Sequence, residues 1–310
     1  SATNQAGSLR LSRGSEIIAA TQSRQAVMVW TDTAVYTLQF LGGQTGWGAQ
    51  LVSGNISIIS SNAVAYANGV SYWMGKDKFY IYDGNVRALK CDLLRYVFND
   101  INWQQTGQIF AGTTEEYNEI WWFYCSEDSA TVDRYIVYNY QDSIWYNGTL
   151  ARTAWLDSGM RDFPLAATYT YNLVNHEEGV DDNETGTSTA INASITSGQF
   201  DTEDGHKFTL ISRIIPDMTF DGSTADSPSA TITLYPMQNS GSGYNDPLSE
   251  GGNSAGAITR SATVPVEQYT DQIDVRVRGR QIAFKIESTD LGVQWQLGSP
   301  RLDMRVDGRR

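Results

Sequence analysis

Residues 70–89 read V-S-Y-W-M-G-K-D-K-F-Y-I-Y-D-G-N-V-R-A-L, and this stretch decides the fold class. Two of its runs are rich in aromatic and aliphatic side chains that alternate with a period of two, as in a β-strand with one buried face. A polar loop that contains Gly75 separates these runs at hairpin length. Asp83-Gly84 marks a second tight turn, because this pair readily adopts positive φ angles. The stretch therefore predicts a small antiparallel meander of three strands.

Similar patterns occur on both sides of this stretch, in residues 27–40 and 120–145. Trp30, Trp73 and Trp122 occupy matching places in the three patterns, at a spacing of roughly 40 to 50 residues. This period is typical of β-propeller blades built from short strands. An ordinary β-meander whose tryptophans happen to align would produce the same pattern. We predict blade-like units in which the three tryptophans are equivalent, buried positions.

The character of the sequence changes near residue 163. Beyond it aromatic residues become rarer, and long polar loops separate short alternating runs. Such a pattern favours a β-sandwich, and a continued propeller fits it nearly as well. We therefore expect an all-β protein, with propeller-like blades in residues 1–163 and an antiparallel region with long polar loops in residues 164–310. Only residues 92–101 have apolar positions that also fit a short helix.

Composition agrees with a large all-β body or two domains. The chain has 310 residues, and its 17 Tyr, 10 Phe and 9 Trp supply much of the apolar content. Wide rings of this kind pack well on pleated sheets. No apolar run approaches the length that spans a bilayer, and no charged-then-apolar leader opens the chain. Neither a membrane segment nor a secretion signal is expected.

The sequence contains no recognisable catalytic motif. Its two histidines, His176 and His206, lie in polar acidic loops without the spacing of a metal site. Residues 252–256 spell G-x-S-x-G, but a Gly/Ser-rich loop surrounds Ser254 and both histidines lie upstream. A nucleophile elbow needs a strand before the serine, a helix after it and a histidine downstream. The prediction is a protein without enzymatic activity, catalytic residues, bound metal or cofactor.

Acidic side chains cluster in the loops at residues 177–184 and 201–204. Glycoside hydrolysis needs two carboxylates held face to face on rigid elements, whereas these lie in predicted loops. Calcium is the better functional alternative, because clustered oxygen ligands suit a hard cation. The spacing does not match a twelve-residue calcium loop, and solvated acidic loops are the simpler interpretation.

Charge is distributed unevenly along the chain. The net charge is −13, yet residues 276–310 contain eight Lys or Arg against four acidic residues. A solvated pair of surface strands would explain this basic tail. The tail could also dock an acidic neighbour, including another copy of the same chain. The arginines of this candidate docking strip are Arg276, Arg278, Arg280, Arg301 and Arg305.

Several segments of the second half carry a family resemblance. They are H-E-E-G-V-D-D-N (176–183), S-G-Q-F-D-T-E-D-G (197–205), S-R-I-I-P-D (212–217), R-G-R-Q-I-A-F-K-I-E-S (278–288) and W-Q-L-G-S-P-R-L-D-M-R-V-D-G-R-R (295–310). Together with A-N-G-V-S-Y-W-M-G (67–75) and Y-I-Y-D-G (80–84), they resemble tail hub or nozzle proteins of short-tailed bacteriophages. Some of these are labelled packaged-DNA stabilisation proteins. The shared features are strand and turn patterns without a chemical signature, and members are usually longer than this chain.

The resemblance implies a structural virion protein that is assembled in the host cytoplasm. Such proteins form a homo-oligomeric ring, a hexamer by analogy, below the portal and its head-to-tail adaptor and beside tail spikes or fibres. Double-stranded DNA passes through the ring during ejection without specific binding. An acidic channel wall suits that role, because like charges repel the duplex; the basic strip should then lie away from the bore. The alternative class is a receptor- or glycan-binding tail module, lectin-like and assisted by calcium. A hydrolase ranks last.

Overall fold

The computed structural model describes residues 8–24, 26–42, 46–203, 205–237 and 261–308. Within these ranges nearly every regular element is a strand of an antiparallel sheet. The prediction of an all-β protein is therefore confirmed. The chain divides into two compact units, Ser1–Glu178 and Gly179–Arg310, which we call unit 1 and unit 2.

Unit 1 begins with three four-stranded sheets, in each of which the strands lie side by side in chain order. The first sheet consists of β1 (Ile17–Gln22), β2 (Val27–Thr31), β3 (Ala34–Gly42) and β4 (Gly46–Gly54). The second consists of β5 (Val64–Ala67), β6 (Val70–Met74), β7 (Phe79–Tyr82) and β8 (Val86–Leu89). The third consists of β9 (Phe110–Thr114), β10 (Glu119–Tyr124), β11 (Arg134–Asn139) and β12 (Ile144–Thr149). Each sheet has the meander order of a propeller blade.

Turn chemistry explains the second sheet, which contains the meander predicted from residues 70–89. Asn68 and Gly69 join β5 to β6 with positive φ angles of 48° and 82°, the conformation of a tight hairpin turn. In the β6–β7 loop, the Gly75 N–H donates to the carbonyl oxygen of Lys78 at 2.8 Å. A side chain at Gly75 would meet the ring of Tyr80 at 2.5 Å, so the loop closes only around a glycine.

The three tryptophans of the repeat lie at the same place in each sheet. Trp30, Trp73 and Trp122 are the fourth residues of β2, β6 and β10, and each is fully buried. The rings of Trp30 and Trp73 lie 5.3 Å apart, so the first sheet packs against the second. Phe79 lies 4.9 Å from Trp122 and joins the second sheet to the third. The repeated tryptophans are therefore the contacts between consecutive sheets.

A helix and a fourth sheet complete unit 1. The helix α1 (Leu94–Asp100) lies in the segment for which the sequence allowed one. The fourth sheet contains β13 (Ala154–Leu156), β14 (Leu165–Ala167) and β15 (Leu173–Asn175). Trp155 stacks on Trp121 of β10 at 5.1 Å, so this sheet covers the third one.

Unit 1 ends at Glu178, whereas the composition changes near residue 163. Leu156 of β13 is the register partner of Leu165 in β14, so backbone hydrogen bonds join the two sides of residue 163. A polar connection between two paired strands has the composition of a linker. Composition therefore did not locate the limit of the compact unit.

Unit 2 contains two larger sheets. One has the order β18 (Ala193–Thr196), β24 (Gln281–Ser288), β21 (Ser229–Met237) and β22 (Ala262–Glu267), and the other has the order β23 (Ile273–Gly279), β19 (Thr209–Ile215) and β26 (Arg301–Val306). Ile211 and Val277 from the second sheet share one core with Ile232 and Ile286 from the first. Two sheets around one core form a sandwich-like arrangement. Two short ladders join β16 (Asp181–Asp182) to β17 (Thr189–Ala190) and β20 (Met218–Thr219) to β25 (Gln296–Leu297).

No helix in the described part of the chain is long and apolar enough to cross a bilayer. The G-x-S-x-G segment at residues 252–256 lies outside the described residues. So do Asp204 of the second acidic loop and Arg309 and Arg310 of the basic tail.

Candidate functional site

The outward face of the first sheet is apolar and partly uncovered. Register pairs place Tyr36, Leu38 and Phe40 of β3 opposite Leu51, Ala49 and Trp47 of β4, on the same face. Leu11 packs against the Tyr36 end of this face, where Val27 and Val29 of β2 lie beside Leu38 and Tyr36. At the other end Phe40 is 69% exposed and Trp47 is 47% exposed, although their rings contact each other edge to face at 5.7 Å. We call this surface the first end face.

A shallow groove borders the first end face. Its volume is about 390 Å³, and its lining includes Arg24 in the β1–β2 turn, Val27, Phe40 and Trp47. Arg24 is exposed and makes no ion pair among the described residues. Large exposed apolar surfaces rimmed by polar groups mark interaction sites. The groove combines such a surface with an unpaired positive charge.

The outward face of the fourth sheet is also apolar. Its residues alternate with Trp155, Ala166 and Val174, which share the opposite face. The outward residues are Ala154 and Leu156 of β13, Leu165 and Ala167 of β14, and Leu173 and Asn175 of β15. Leu156 is 58% exposed and Leu173 is 70% exposed. We call this surface the second end face, since the fourth sheet lies on the opposite side of the third sheet from the second one.

The rim of the first end face is basic on balance, although Glu16 and Asp32 also flank its strands, and the rim of the second end face is acidic on balance. Exposed Arg10, Arg13 and Arg24 lie near the first end face: Arg10 adjoins Leu11, and the Arg13 side chain lies over Gly54 of β4. Acidic residues follow or precede the strands of the second end face, and they are Asp157, Asp162, Glu177 and Glu178. The exposed Arg161 is their basic neighbour in the chain. Opposite rims suit two surfaces that meet each other.

A buried carboxylate lies beneath the acidic rim. Glu119 begins β10 and is 9% exposed. Its Oε1 accepts a hydrogen bond from the Tyr146 hydroxyl at 2.5 Å, and its Oε2 accepts one from Trp121 Nε1 at 3.1 Å. Burial raises the pKa of Glu119 and outweighs these two hydrogen bonds, which act in the opposite direction. No sequence motif marks this residue.

Four further residues join Glu119 in what we call the acidic cradle: Thr114, Glu116, Tyr117 and Glu177. Thr114 lies directly opposite Glu119 on β9, and its buried hydroxyl has no hydrogen-bond partner. Glu177 follows β15 with a φ of 60° and reaches the surface. Burial, then the charges of Glu119 and Glu116, raise the pKa of Glu177. The tertiary structure thus places the Glu177 carboxylate near those of Glu119 and Glu116.

The cradle predicts a pH-dependent stability. The pKa values of Glu119 and Glu177 are higher in the folded state than in the unfolded state. The stability that this difference contributes is fully present below the unfolded pKa, about 4, and is lost as pH rises through the folded-state pKa values. Glu119→Gln can donate to Tyr146 and accept from Trp121 without carrying charge. We expect the free energy of unfolding of Glu119→Gln, relative to wild type, to increase from pH 4 to pH 7. Urea denaturation across this range measures it.

Glu127→Gln, exposed in a turn of the same unit, provides the control and should show no such trend. A wild-type advantage over Glu119→Gln that grows with pH would contradict the burial argument.

The basic strip is distributed over two strands of unit 2. Arg276 on β23 is exposed, as are Arg301 and Arg305 on β26. Arg278 and Arg305 are both register partners of Leu210 in β19, so they flank it on one face of the sheet. Arg280 occupies the β23–β24 turn.

Two of the five arginines already have partners. Arg278 donates from Nε to Asp307 Oδ2 at 2.6 Å and stacks over the Phe208 ring at 4.2 Å. Arg280 lies over the same ring at 5.3 Å. Arg276, Arg301 and Arg305 make no ion pair among the described residues, so they carry the unpaired positive charge of the strip.

The acidic loops do not converge on a metal site in the part of the chain that the structure describes. No group of three or more His, Cys, Asp or Glu is arranged there to hold an ion. Asp181 instead accepts the Gly292 N–H at 2.8 Å, and Asp182 accepts the Glu184 N–H at 2.9 Å. Asp182 thus organises the backbone of its own loop, whereas Asp181 joins that loop to the segment around Gly292.

No protein-family model and no curated protein matches the sequence. Among solved structures, the chain is similar to an exo-beta-1,3-galactanase from Phanerochaete chrysosporium in a crystal structure with galactose. The match has 8% sequence identity and a TM-score of 0.30, and it covers 90% of this chain and 77% of the galactanase.

This match contradicts the prediction that the chain is not an enzyme, which is corrected accordingly. The prediction was based on the spacing of catalytic motifs along the sequence. Carboxylates such as Glu119 and Glu177 approach each other only in the tertiary structure, so no spacing along the sequence indicates them. At a TM-score of 0.30 and 8% identity the likeness assigns neither an activity nor a substrate to this chain.

Proposed function

We propose that this chain is a structural subunit of a homo-oligomeric ring, the tail hub or nozzle of a short-tailed bacteriophage. The observation that supports assembly best is the pair of apolar faces at the two ends of the stacked sheets of unit 1. Inside the unit, consecutive sheets bury such faces against each other through Trp30, Trp73 and Trp122. A neighbouring copy would bury the outermost faces in the same way.

The proposed contact is head to tail. The two end faces differ in sequence and in the charge of their rims, so the first end face of one copy meets the second end face of the next. Contacts between two different surfaces are heterologous, and they close into a ring when the rotation between copies permits. Burial of the exposed Phe40, Trp47, Leu156 and Leu173 side chains supplies the driving force.

The ring would form a channel for DNA ejection below the portal and its adaptor, with tail spikes or fibres as further partners and six copies by analogy. A chain with a net charge of −13 suits the passage of DNA without specific binding. The unpaired Arg276, Arg301 and Arg305 would contact an acidic partner ring rather than the bore. The protein would thus be located in the virion tail.

Self-association tests the proposal. Phe40→Asp and Leu173→Asp, which place a charge on the first and second end face, should each abolish assembly in analytical ultracentrifugation. An equimolar mixture of the two variants should form a dimer and stop there. Each variant keeps one intact face, so a single head-to-tail contact can form, but neither free end can extend it.

Tyr269→Asp is a matched control, because Tyr269 is 88% exposed in unit 2 and should tolerate the charge. Circular dichroism verifies that each variant is folded. Wild-type protein that remains monomeric at all concentrations and is absent from purified virions would rule out the ring. Binding of glycans by that monomer would favour the receptor-binding alternative.

A further inference from the structure

The acidic cradle contains three carboxylates, those of Glu116, Glu119 and Glu177. None of the ion pairs in the described part of unit 1 involves Glu116, Glu119 or Glu177. Glu119 is nearly buried, and a buried carboxylate without a cationic partner is unfavourable even when it is hydrogen-bonded. Glu177 lies close enough to Glu119 and to Glu116 to interact electrostatically with both. A positive group beside Glu177 would relieve its repulsion with both neighbours.

The hydroxyl of Thr114 points to a ligand independently of the acids. Thr114 is 1% exposed, and its Oγ1 has no hydrogen-bond partner. Opposite residues of an antiparallel pair project from the same face of the sheet, so Thr114 and Glu119 lie on one face of the third sheet. Buried polar atoms without partners are rare and costly. The cradle therefore combines a hydroxyl that lacks a hydrogen-bond partner with carboxylates that take part in none of the ion pairs given above.

An arginine side chain fits this chemistry better than a compact cation does. Guanidinium donates several hydrogen bonds from one plane, pairs with carboxylates in a bidentate manner and stacks on aromatic rings. Tyr117 offers such a ring at the surface, where it is 44% exposed. A metal ion would need several convergent ligands, and the described residues provide no such group.

An exposed arginine without an ion-pair partner among the described residues lies at the rim of the first end face. Arg24 is exposed in the β1–β2 turn, is unpaired among the described residues, and borders the groove lined by Phe40 and Trp47. The acidic cradle lies at the end of the third and fourth sheets, beside the second end face. A charge at the rim of one face and its counter-charge at the rim of the other would meet when two copies join.

We propose that Arg24 of one copy binds in the acidic cradle of the next copy, where Glu177 and Glu116 receive the guanidinium above Glu119. This inference rests on the proposed head-to-tail ring and deepens it. Two apolar faces can slide against each other, because the hydrophobic effect is non-directional. A pair of opposite charges interacts well in one relative position, so it sets the register between copies. Arg24 and the cradle are thus the contact that determines how neighbouring subunits are rotated.

Charge reversal tests this contact in the full chain. Arg24→Glu and Glu177→Arg should each raise the Kd of self-association by about tenfold or more, because each creates a like-charge pair. The double variant Arg24→Glu/Glu177→Arg carries opposite charges again at every interface, so its Kd should return to within about threefold of wild type. Sedimentation velocity at fixed ionic strength measures the three values.

Lys76→Glu in the β6–β7 loop and Glu267→Arg in unit 2 reverse exposed charges outside both end faces and serve as controls that should leave the Kd unchanged. If wild type associates but neither single reversal weakens it, the cradle is not the contact and this inference fails while the ring stands. If the single reversals weaken association and the double variant does not recover, Arg24 is not the partner. A monomeric wild type would instead remove the proposed function itself.

Discussion

Replacing Trp122 by alanine should lower the free energy of unfolding of unit 1 by roughly 3 to 5 kcal/mol, the range for truncating a large buried aromatic residue. Trp122 is fully buried, contacts Phe79 at 4.9 Å and stacks on Trp145 at 5.9 Å. Its Nε1 donates to the carbonyl oxygen of Ala63 at 3.1 Å. The substitution therefore opens a cavity between the second and third sheets and also removes a hydrogen bond.

Phenylalanine substitutions separate the two contributions. Trp30 is equally buried, but its Nε1 has no acceptor. Trp30→Phe removes an unsatisfied donor, so it should cost less than Trp122→Phe, by about 1 kcal/mol, the value of one hydrogen bond. Urea denaturation followed by tryptophan fluorescence measures unit 1, since every tryptophan except Trp295 lies there. A loss below about 1 kcal/mol for Trp122→Ala would contradict the assigned role of this side chain.

Replacing Gly112 by valine is the second substitution with a large expected effect. Gly112 lies on β9, and a Cβ there would lie 2.4 Å from Cδ1 and 2.8 Å from Cγ of Trp155. Trp155 holds the fourth sheet against the third through its stack on Trp121 and its hydrogen bond to the Thr113 carbonyl oxygen at 2.8 Å. Valine must therefore displace Trp155. We expect a loss of about 2 to 3 kcal/mol from overpacking and lost burial.

The same variant should associate less, because displacement of the fourth sheet disturbs the second end face. Gly107→Ala is the matched control: a Cβ at Gly107 meets nothing within 4 Å, so this substitution should be close to neutral. Urea denaturation and sedimentation together measure both effects. Unchanged stability and association in Gly112→Val would show that Trp155 does not hold the fourth sheet in place.

Some features of the chain follow from local patterns. The period-2 alternation of residues 70–89 and the turn chemistry of Asp83-Gly84 depend on neighbours along the chain, so the strands and the meander could be predicted. The recurrence of Trp30 and Trp73 likewise indicated equivalent places in successive sheets. The limit of unit 1 could not be predicted, because pairing of Leu156 with Leu165 joins segments that composition separates.

The sequence by itself determined an all-β protein, since alternation of side chains between two faces is a property of each strand alone. Only the tertiary structure decided which faces are covered by the next sheet, and hence that the surfaces around Phe40 and Leu173 remain open. It also brought Glu177 to Glu119 across a long separation in the chain. No periodic pattern in the sequence predicts either result, because both depend on contacts between sheets rather than on the order of residues within a strand.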